Sequence, residues 1–104
     1  MATTSVMGRE IHVDAEGFLT EYDEWDEALG AELAAQIGIE MTEEHWTLVR
    51  FLRADYAETG QSATTRRVAT VGGVPVKRQF ELFPKKPGKK MAYVAGLPKP
   101  AGCV

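Results

Sequence analysis

One residue stands out as a nucleophile by type and by place: Cys103, the single cysteine among 104 residues, set in the closing stretch AGLPKPAGCV. A thiol attacks as its thiolate, which exposure and nearby cations favour, and Lys99 and a run of further lysines precede it. Burying this stretch would be costly. Its two prolines carry no backbone N–H, and an interior placement would leave the other backbone groups without ladder partners. The position therefore predicts an accessible thiol, either one able to enter the active site of another protein or an incidental exposed cysteine. One cysteine also means no intramolecular disulfide and no sign of a secreted disulfide framework.

The other chemistry-bearing residues form weaker constellations. His12, His45 and one cysteine have no zinc-ligand spacing, and no glycine-rich phosphate loop is present, so neither metal nor cofactor is expected. His45, in the first turn of a helix beside Trp46, reads as a packing residue or a terminal hydrogen bond; His12 alternates with Ile11 and Val13 and reads as solvated. The carboxylates crowd helix N-termini, where the dipole favours them, rather than pairing as acid and base. Arg66, Arg67, Lys77 and Arg78 could meet nucleic acid through a helix-turn-helix-like segment, but the helix before them is acidic, which argues against direct nucleic-acid binding.

Charge is strongly sorted along the chain although the net value is only −3. Residues 1–60 hold every acid except Glu81 against Arg9, Arg50 and Arg53, and the other nine basic residues follow. Two readings stay open. Either the halves fold against one another and neutralise, or the asymmetry steers an acidic partner to one face.

The elements that must position Cys103 follow from periodicity and punctuation. A chain of this length makes one small domain. No apolar run approaches the roughly 18 to 20 residues of a membrane span, and MATTSVMGRE lacks a signal peptide's apolar segment; a soluble, cytoplasmic protein without membrane contact is expected. GREIHVDAEGFLT predicts a β-hairpin turning at DAEG. From Asp23, the residues Trp25, Ala28, Leu29, Leu33 and Ile37 recur at helical spacing before a stop at Gly38. Thr42 caps a second helix with Trp46, Val49, Leu52 and Tyr56 on one side, ending at Gly60. Ser62 caps a short third helix stopped by Gly72-Gly73, and PVKRQFELF makes a fourth that buries Val76, Phe80 and Phe83. PKKPGKK reads as a basic linker, KMAYVA as one or two further turns, and the chain beyond Gly96 as irregular. The fold class is α+β, mostly α: an N-terminal β-hairpin on a bundle of four to five helices with a helix-turn-helix-like segment. The layout is a domain over 1–95 and a flexible C-terminal arm over 96–104.

GREIHVDAEGFL, Trp25, GIEMTEEHWTLVRFLRADY, SATTRR, LFPKKPGKK and AGLPKPAGCV occur in this order over nearly the whole chain. Together they resemble the DsrC/TusE family of sulfur-relay proteins, with the GLPKP tail before a near-terminal cysteine as the most specific element. The resemblance implies a small, mostly helical domain with an N-terminal hairpin and a flexible arm. It implies that Cys103 is the carrier cysteine that accepts sulfur as a persulfide, and that Arg66 matches a family arginine; Arg66 and Lys99 are the expected contacts of the arm or a partner. Members acting with dissimilatory sulfite reductase carry a second cysteine eleven positions earlier and can close a disulfide or trisulfide. Ala92 stands there in this chain, so that cycle is excluded. The departure points to the TusE-like branch, where one cysteine takes sulfur from a persulfide-donating sulfurtransferase complex and hands it to a tRNA-thiolating enzyme. Ala63 replaces a family proline at the start of the third helix, which touches only local rigidity. The expected function is a sulfur carrier, a sulfurtransferase in the sense of transpersulfidation. The alternatives are a partner of dissimilatory sulfite reductase or of a sulfur-oxidation pathway, and a sulfur-responsive DNA-binding regulator.

Overall fold

The computed structural model describes residues 2–100. Strands β1 (Ala2–Val6) and β2 (Arg9–Val13) form an antiparallel hairpin with Val6 opposite Arg9. Met7 and Gly8 make its two-residue turn at φ 54° and 74°, the pair of left-handed residues that a type I′ hairpin requires. The hairpin therefore lies one strand earlier than the sequence predicts. Thr3, Thr4 and Ser5 are exposed and only Val6 of that strand's end is buried, so β1 carries no apolar alternation to read. The DAEG turn does exist. The Asp14 carboxylate accepts from the Glu16 and Phe18 N–H groups at 2.9 and 3.0 Å, but the returning chain makes only an isolated bridge, Leu19 to Val13.

A 3₁₀ turn (Tyr22–Glu24) leads to α1 (Glu27–Gln36), whose N-cap Asp26 accepts from the Leu29 N–H at 2.9 Å. Trp25 thus precedes the helix instead of lying on it, and Ala28 faces solvent while Leu29 and Leu33 point inward. Gly38, at φ 77°, stops the helix as its spacing predicts. Helix α2 (Glu43–Thr59) runs from the Thr42 cap to Gly60 at φ 76°. Its N-terminus is closed by His45, whose Nδ1 accepts from the Thr42 N–H at 3.1 Å while Nε2 lies 2.8 Å from the Leu82 carbonyl. A backbone N–H can only donate, so the His45 proton sits on Nε2 and donates to Leu82. The terminal hydrogen bond expected of His45 is present, and it also ties α2 to Leu82.

Helices α3 (Thr65–Thr70), α4 (Val76–Leu82) and α5 (Pro87–Val94) complete the bundle. Thr64, not Ser62, caps α3 by accepting from the Arg67 N–H at 3.2 Å. On α4 the expected face is corrected: Val76 and Phe80 are 40% and 49% exposed, whereas Gln79 and Leu82 turn inward with Phe83 just beyond the helix. The Gln79 amide sets this phase by donating to the Thr65 and Val74 carbonyls, both at 2.9 Å, partners that no apolar periodicity reveals. The second half of the expected basic linker is the first turn of α5, with Pro87 at the start where its missing N–H is harmless.

Phe18, Leu48, Val49, Leu52, Val68, Phe83, Met91 and Leu97 fill the main core, and Val6, Ile11, Val13 and Leu19 of the hairpin region pack on Leu29 and Leu33 of α1. Trp25 and Tyr93 touch both groups and join them. No helix among the described residues is long and apolar enough to cross a membrane.

The acidic and basic halves do meet. Arg67 grips Asp55 through two bonds of 2.9 and 2.7 Å, Arg78 spans Glu44 and Glu81, and Lys89 and Lys99 approach Glu16. Two of the four cations that the helix-turn-helix-like segment could offer to a nucleic acid are thereby committed to carboxylates.

The hairpin is clasped to the 3₁₀ turn by His12, which is not merely solvated. Its N–H donates to Glu24 Oε1 at 2.8 Å and its Nδ1 lies 2.7 Å from Oε2. Hydrogen bonding and charge from Glu24 raise the His12 pKa above the ordinary 6.5, and hydrogen bonds from His12 lower that of Glu24 below the ordinary 4.5. The histidine's contribution is full below pH 6.5 and is lost as pH rises through its raised value. The carboxylate's is full above pH 4.5 and is lost on acidification through its lowered value. The Tm penalty of Glu24→Gln should therefore be larger near pH 5.5 than at pH 8.5 in thermal melts followed by circular dichroism; equal penalties would contradict this clasp.

Candidate functional site

The segment that carries Cys103 leaves the body at the C-terminus of α5, and that exit is built with unusual thoroughness. Ala95 ends the helix, Gly96 takes φ 69°, and the chain closes a Schellman motif: the Gly96 N–H donates to the Tyr93 carbonyl at 3.2 Å and the Leu97 N–H to the Ala92 carbonyl at 3.0 Å. Leu97 then drops back into the core at 0% exposure, the apolar contact that often accompanies this motif. Burial of that side chain contributes about 1.5–3 kcal/mol toward holding the exit.

Two side chains from elsewhere take up the last carbonyls of the helix. The Trp25 indole N–H donates to the Val94 carbonyl at 2.8 Å, and Arg53 donates to the Ala95 carbonyl at 2.8 Å and to the Tyr22 carbonyl at 2.9 Å. The Arg53 guanidinium carbon lies 3.9 Å from the Tyr22 ring centre and 4.2 Å from that of Trp25, so the cation is held against two aromatic faces. Burial pushes its pKa down, yet an arginine stays charged in a protein. Tyr22 stacks on Tyr56 at 5.6 Å and donates its hydroxyl to the Arg53 carbonyl at 3.0 Å. The indole lies so close to the chain that a Cβ on Gly96 would stand 2.4 Å from Trp25 Cδ1, and one on Gly30 2.8 Å from Cζ2.

Beyond the root, residues 98–100 also lie against the body. The Ser62 hydroxyl donates to the Pro98 carbonyl at 2.6 Å, Lys99 Nζ is 3.5 Å from Glu16, and Pro100 is buried. The described part of the expected arm, 96–100, is irregular in secondary structure, with Gly96, Leu97 and Pro100 buried and Pro98 and Lys99 exposed. Cys103 itself lies outside the described residues. It follows Pro100 by three residues, which span at most about 10–11 Å when fully extended.

Of the expected contacts, Lys99 is placed on Glu16, and Arg66 is exposed on α3 with no side-chain hydrogen bond or ion pair among the described residues. Ala92, where the resemblance puts a second cysteine in other members, is 1% exposed, and its carbonyl accepts from the Leu97 N–H. Sequence reasoning missed Arg53, Tyr22 and Ser62 as holders of this segment. Their partners are main-chain carbonyls, and a carbonyl leaves no trace in residue type. The one readable signal was Gly96 followed directly by an apolar residue, which is the Schellman pattern. Among the described residues no three His, Cys, Asp or Glu side chains gather as metal ligands would.

Gly96→Ala combines a disfavoured left-handed residue with a collision against Trp25, and should lower stability by about 2–4 kcal/mol in urea titrations. Arg53→Lys keeps the charge but cannot fork between two carbonyls, and should cost about 1–3 kcal/mol with faster amide exchange at Leu97. A Leu97 amide exchanging at the parent rate in Arg53→Lys would remove Arg53 from the root.

Residues 5–104 match the family described as DsrC like protein. The chain is 39% identical over 104 residues to the sulfurtransferase TusE of Salmonella typhimurium, covering 93% of this chain and 95% of that protein. Among solved structures, it matches that of dissimilatory sulfite reductase I (DsrI) at a TM-score of 0.84 and 34% identity, over 99% of this chain and 100% of the other. The DsrC of Allochromatium vinosum matches at a TM-score of 0.79 and 36% identity, over 98% and 97% of the two chains. With an N-terminal hairpin, five helices and a C-terminal segment seated on Trp25 and Arg53, the chain belongs to the DsrC-like family.

Proposed function

We propose that this protein is a sulfur carrier that takes a persulfide sulfur on Cys103 and delivers it to an acceptor protein. The Cys103 thiolate attacks the outer sulfur of a donor cysteine persulfide. A new S–S bond forms at Cys103, the donor S–S bond breaks, and the donor leaves as a thiolate; the acceptor thiol repeats the exchange. Sulfur moves with no net oxidation or reduction, so no cofactor enters the balance. The observation that carries this reading is the sole thiol placed three residues past a segment seated on Trp25, Arg53 and Ser62. Such a root fixes the origin of the segment that carries the thiol.

The partners that fit are a cytoplasmic persulfide-donating sulfurtransferase complex and a tRNA-thiolating enzyme, in keeping with the relatives named sulfurtransferase TusE. The likeness to DsrC and to dissimilatory sulfite reductase I favours a second reading, a partner of a sulfite reductase. Ala92 weighs against it, because a single-cysteine segment cannot resolve its own persulfide. Incubation with a cysteine desulfurase and cysteine should add one sulfur to the C-terminal peptide in mass spectrometry, and Cys103→Ser should abolish the gain. An unmodified Cys103 under those conditions would sink the carrier reading.

A further inference from the structure

Seven described positions besides Lys85 and Lys86 have positive φ, and six of them, Gly8, Gly17, Gly38, Gly60, Gly73 and Gly96, are glycines. Lys85 and Lys86 sit there consecutively at φ 60° and 49°, a conformation that a Cβ disfavours. Both are exposed and neither makes an ion pair or side-chain hydrogen bond among the described residues. Packing does not explain them. Glycine would serve the fold better, so what lysine adds at this bend is its charge. Backbone strain retained at such a place is a pointer to function.

The surroundings indicate what that charge meets. Lys89 and Lys99 converge on one carboxylate, Glu16, at 3.8 and 3.5 Å, so this lysine surface already accommodates a carboxylate and includes a residue of the Cys103 segment. Lys90 reaches back to the Pro84 carbonyl at 2.6 Å, holding the bend against α5. Beside it opens a cleft of about 350 Å³ lined by Glu16, Phe18, Ile37, Lys89, Lys90 and Tyr93. Its floor is apolar and aromatic, its rim cationic. A reach of about 10–11 Å from Pro100 means that a protein exchanging sulfur with Cys103 must come down onto the body close to Lys99.

We infer that Lys85, Lys86, Lys89, Lys90 and Lys99 form a docking surface for an acidic segment of the partner protein, with one of its apolar side chains seated in the cleft over Phe18 and Tyr93. This rests on the carrier reading and names the chemistry of the partner. A protein carboxylate fits better than a nucleic-acid backbone. The chain carries net negative charge, Glu16 stands among the lysines, and the cleft floor matches an apolar side chain.

The test measures binding of the whole protein to poly-L-glutamate and to a glutamate–tyrosine copolymer by titration calorimetry at two salt concentrations. The copolymer should bind more tightly, and both affinities should fall with salt. Lys85→Gly with Lys86→Gly should weaken binding about five- to tenfold while Tm stays level or rises. Lys85→Arg with Lys86→Arg should retain binding. Parent-like affinity in the double glycine variant overturns the docking surface, and a falling Tm shows that the lysines serve the fold instead. Unmodified tRNA that outcompetes the copolymer through the same lysines overturns the choice of partner. Loading of Cys103 by inorganic polysulfide, read by mass spectrometry, tests the carrier chemistry separately: polymer binding without loading leaves the docking surface standing and removes the carrier reading.

Discussion

The structure depends on the capture of two carbonyls. Val94 and Ala95 end α5 with acceptors that the helix cannot satisfy, and Trp25 and Arg53 supply the donors from 69 and 42 residues away in sequence. A carbonyl left unpaired at a buried helix end costs about 1–3 kcal/mol, so this arrangement decides where the chain goes next. It fixes the exit of the C-terminal segment to α2, to the 3₁₀ turn and to the start of α1 together. The same indole joins the hairpin–α1 cluster to the main core. Loosening the exit and loosening the hairpin are thus coupled through this ring, with Tyr93 as a second link.

The close approach of that ring bears on two glycines. Gly30 lies inside α1, where glycine weakens a helix by about 1 kcal/mol, and it is there because the Trp25 ring occupies the space of a Cβ. Gly96 answers two demands at once, the left-handed turn of the Schellman motif and the same ring. Local stability in α1 is given up for a fixed exit at α5.

Electrostatics divides the molecule in a second way. The basic half is partly neutralised by the acidic half through Asp55, Glu44 and Glu16, and these pairs tie α3 to α2, α4 to α2, and α5 with residue 99 to the loop after the hairpin. Of the charge left outward, Lys85 and Lys86 lie on the bend that leads into α5, the helix from which the Cys103 segment departs. A carrier that contributes a thiol and leaves the chemistry of activation to its partners needs a short reach and a surface that orients the encounter. Charge complementarity acts on the rate of encounter and on partner choice more than on final affinity, which suits a protein that must release each partner after one exchange.

Much of this was legible from residues alone. Thr42 and Gly60 bound α2 because a cap hydroxyl and a left-handed glycine act locally, and Gly38 stops α1 for the same reason. The lone cysteine after a proline-rich stretch is a candidate nucleophile by composition, and it lies outside the described residues. Apart from β1, which has no apolar alternation, what failed depends on a distant partner. The α4 face was misassigned because Gln79 is drawn inward by the Thr65 and Val74 carbonyls, leaving Phe80 outside. Ser62 was assigned to a cap because its tie to Pro98 spans 36 residues. The sequence by itself determined the two ends of α2, the stop of α1 at Gly38, the sorted charge and the single thiol, since each rests on side-chain type and near-neighbour spacing. Only the tertiary structure decided where the Cys103 segment is rooted, because hydrogen bonds to main-chain carbonyls and a ring pressed on a glycine are written in no residue's identity until the chain has folded.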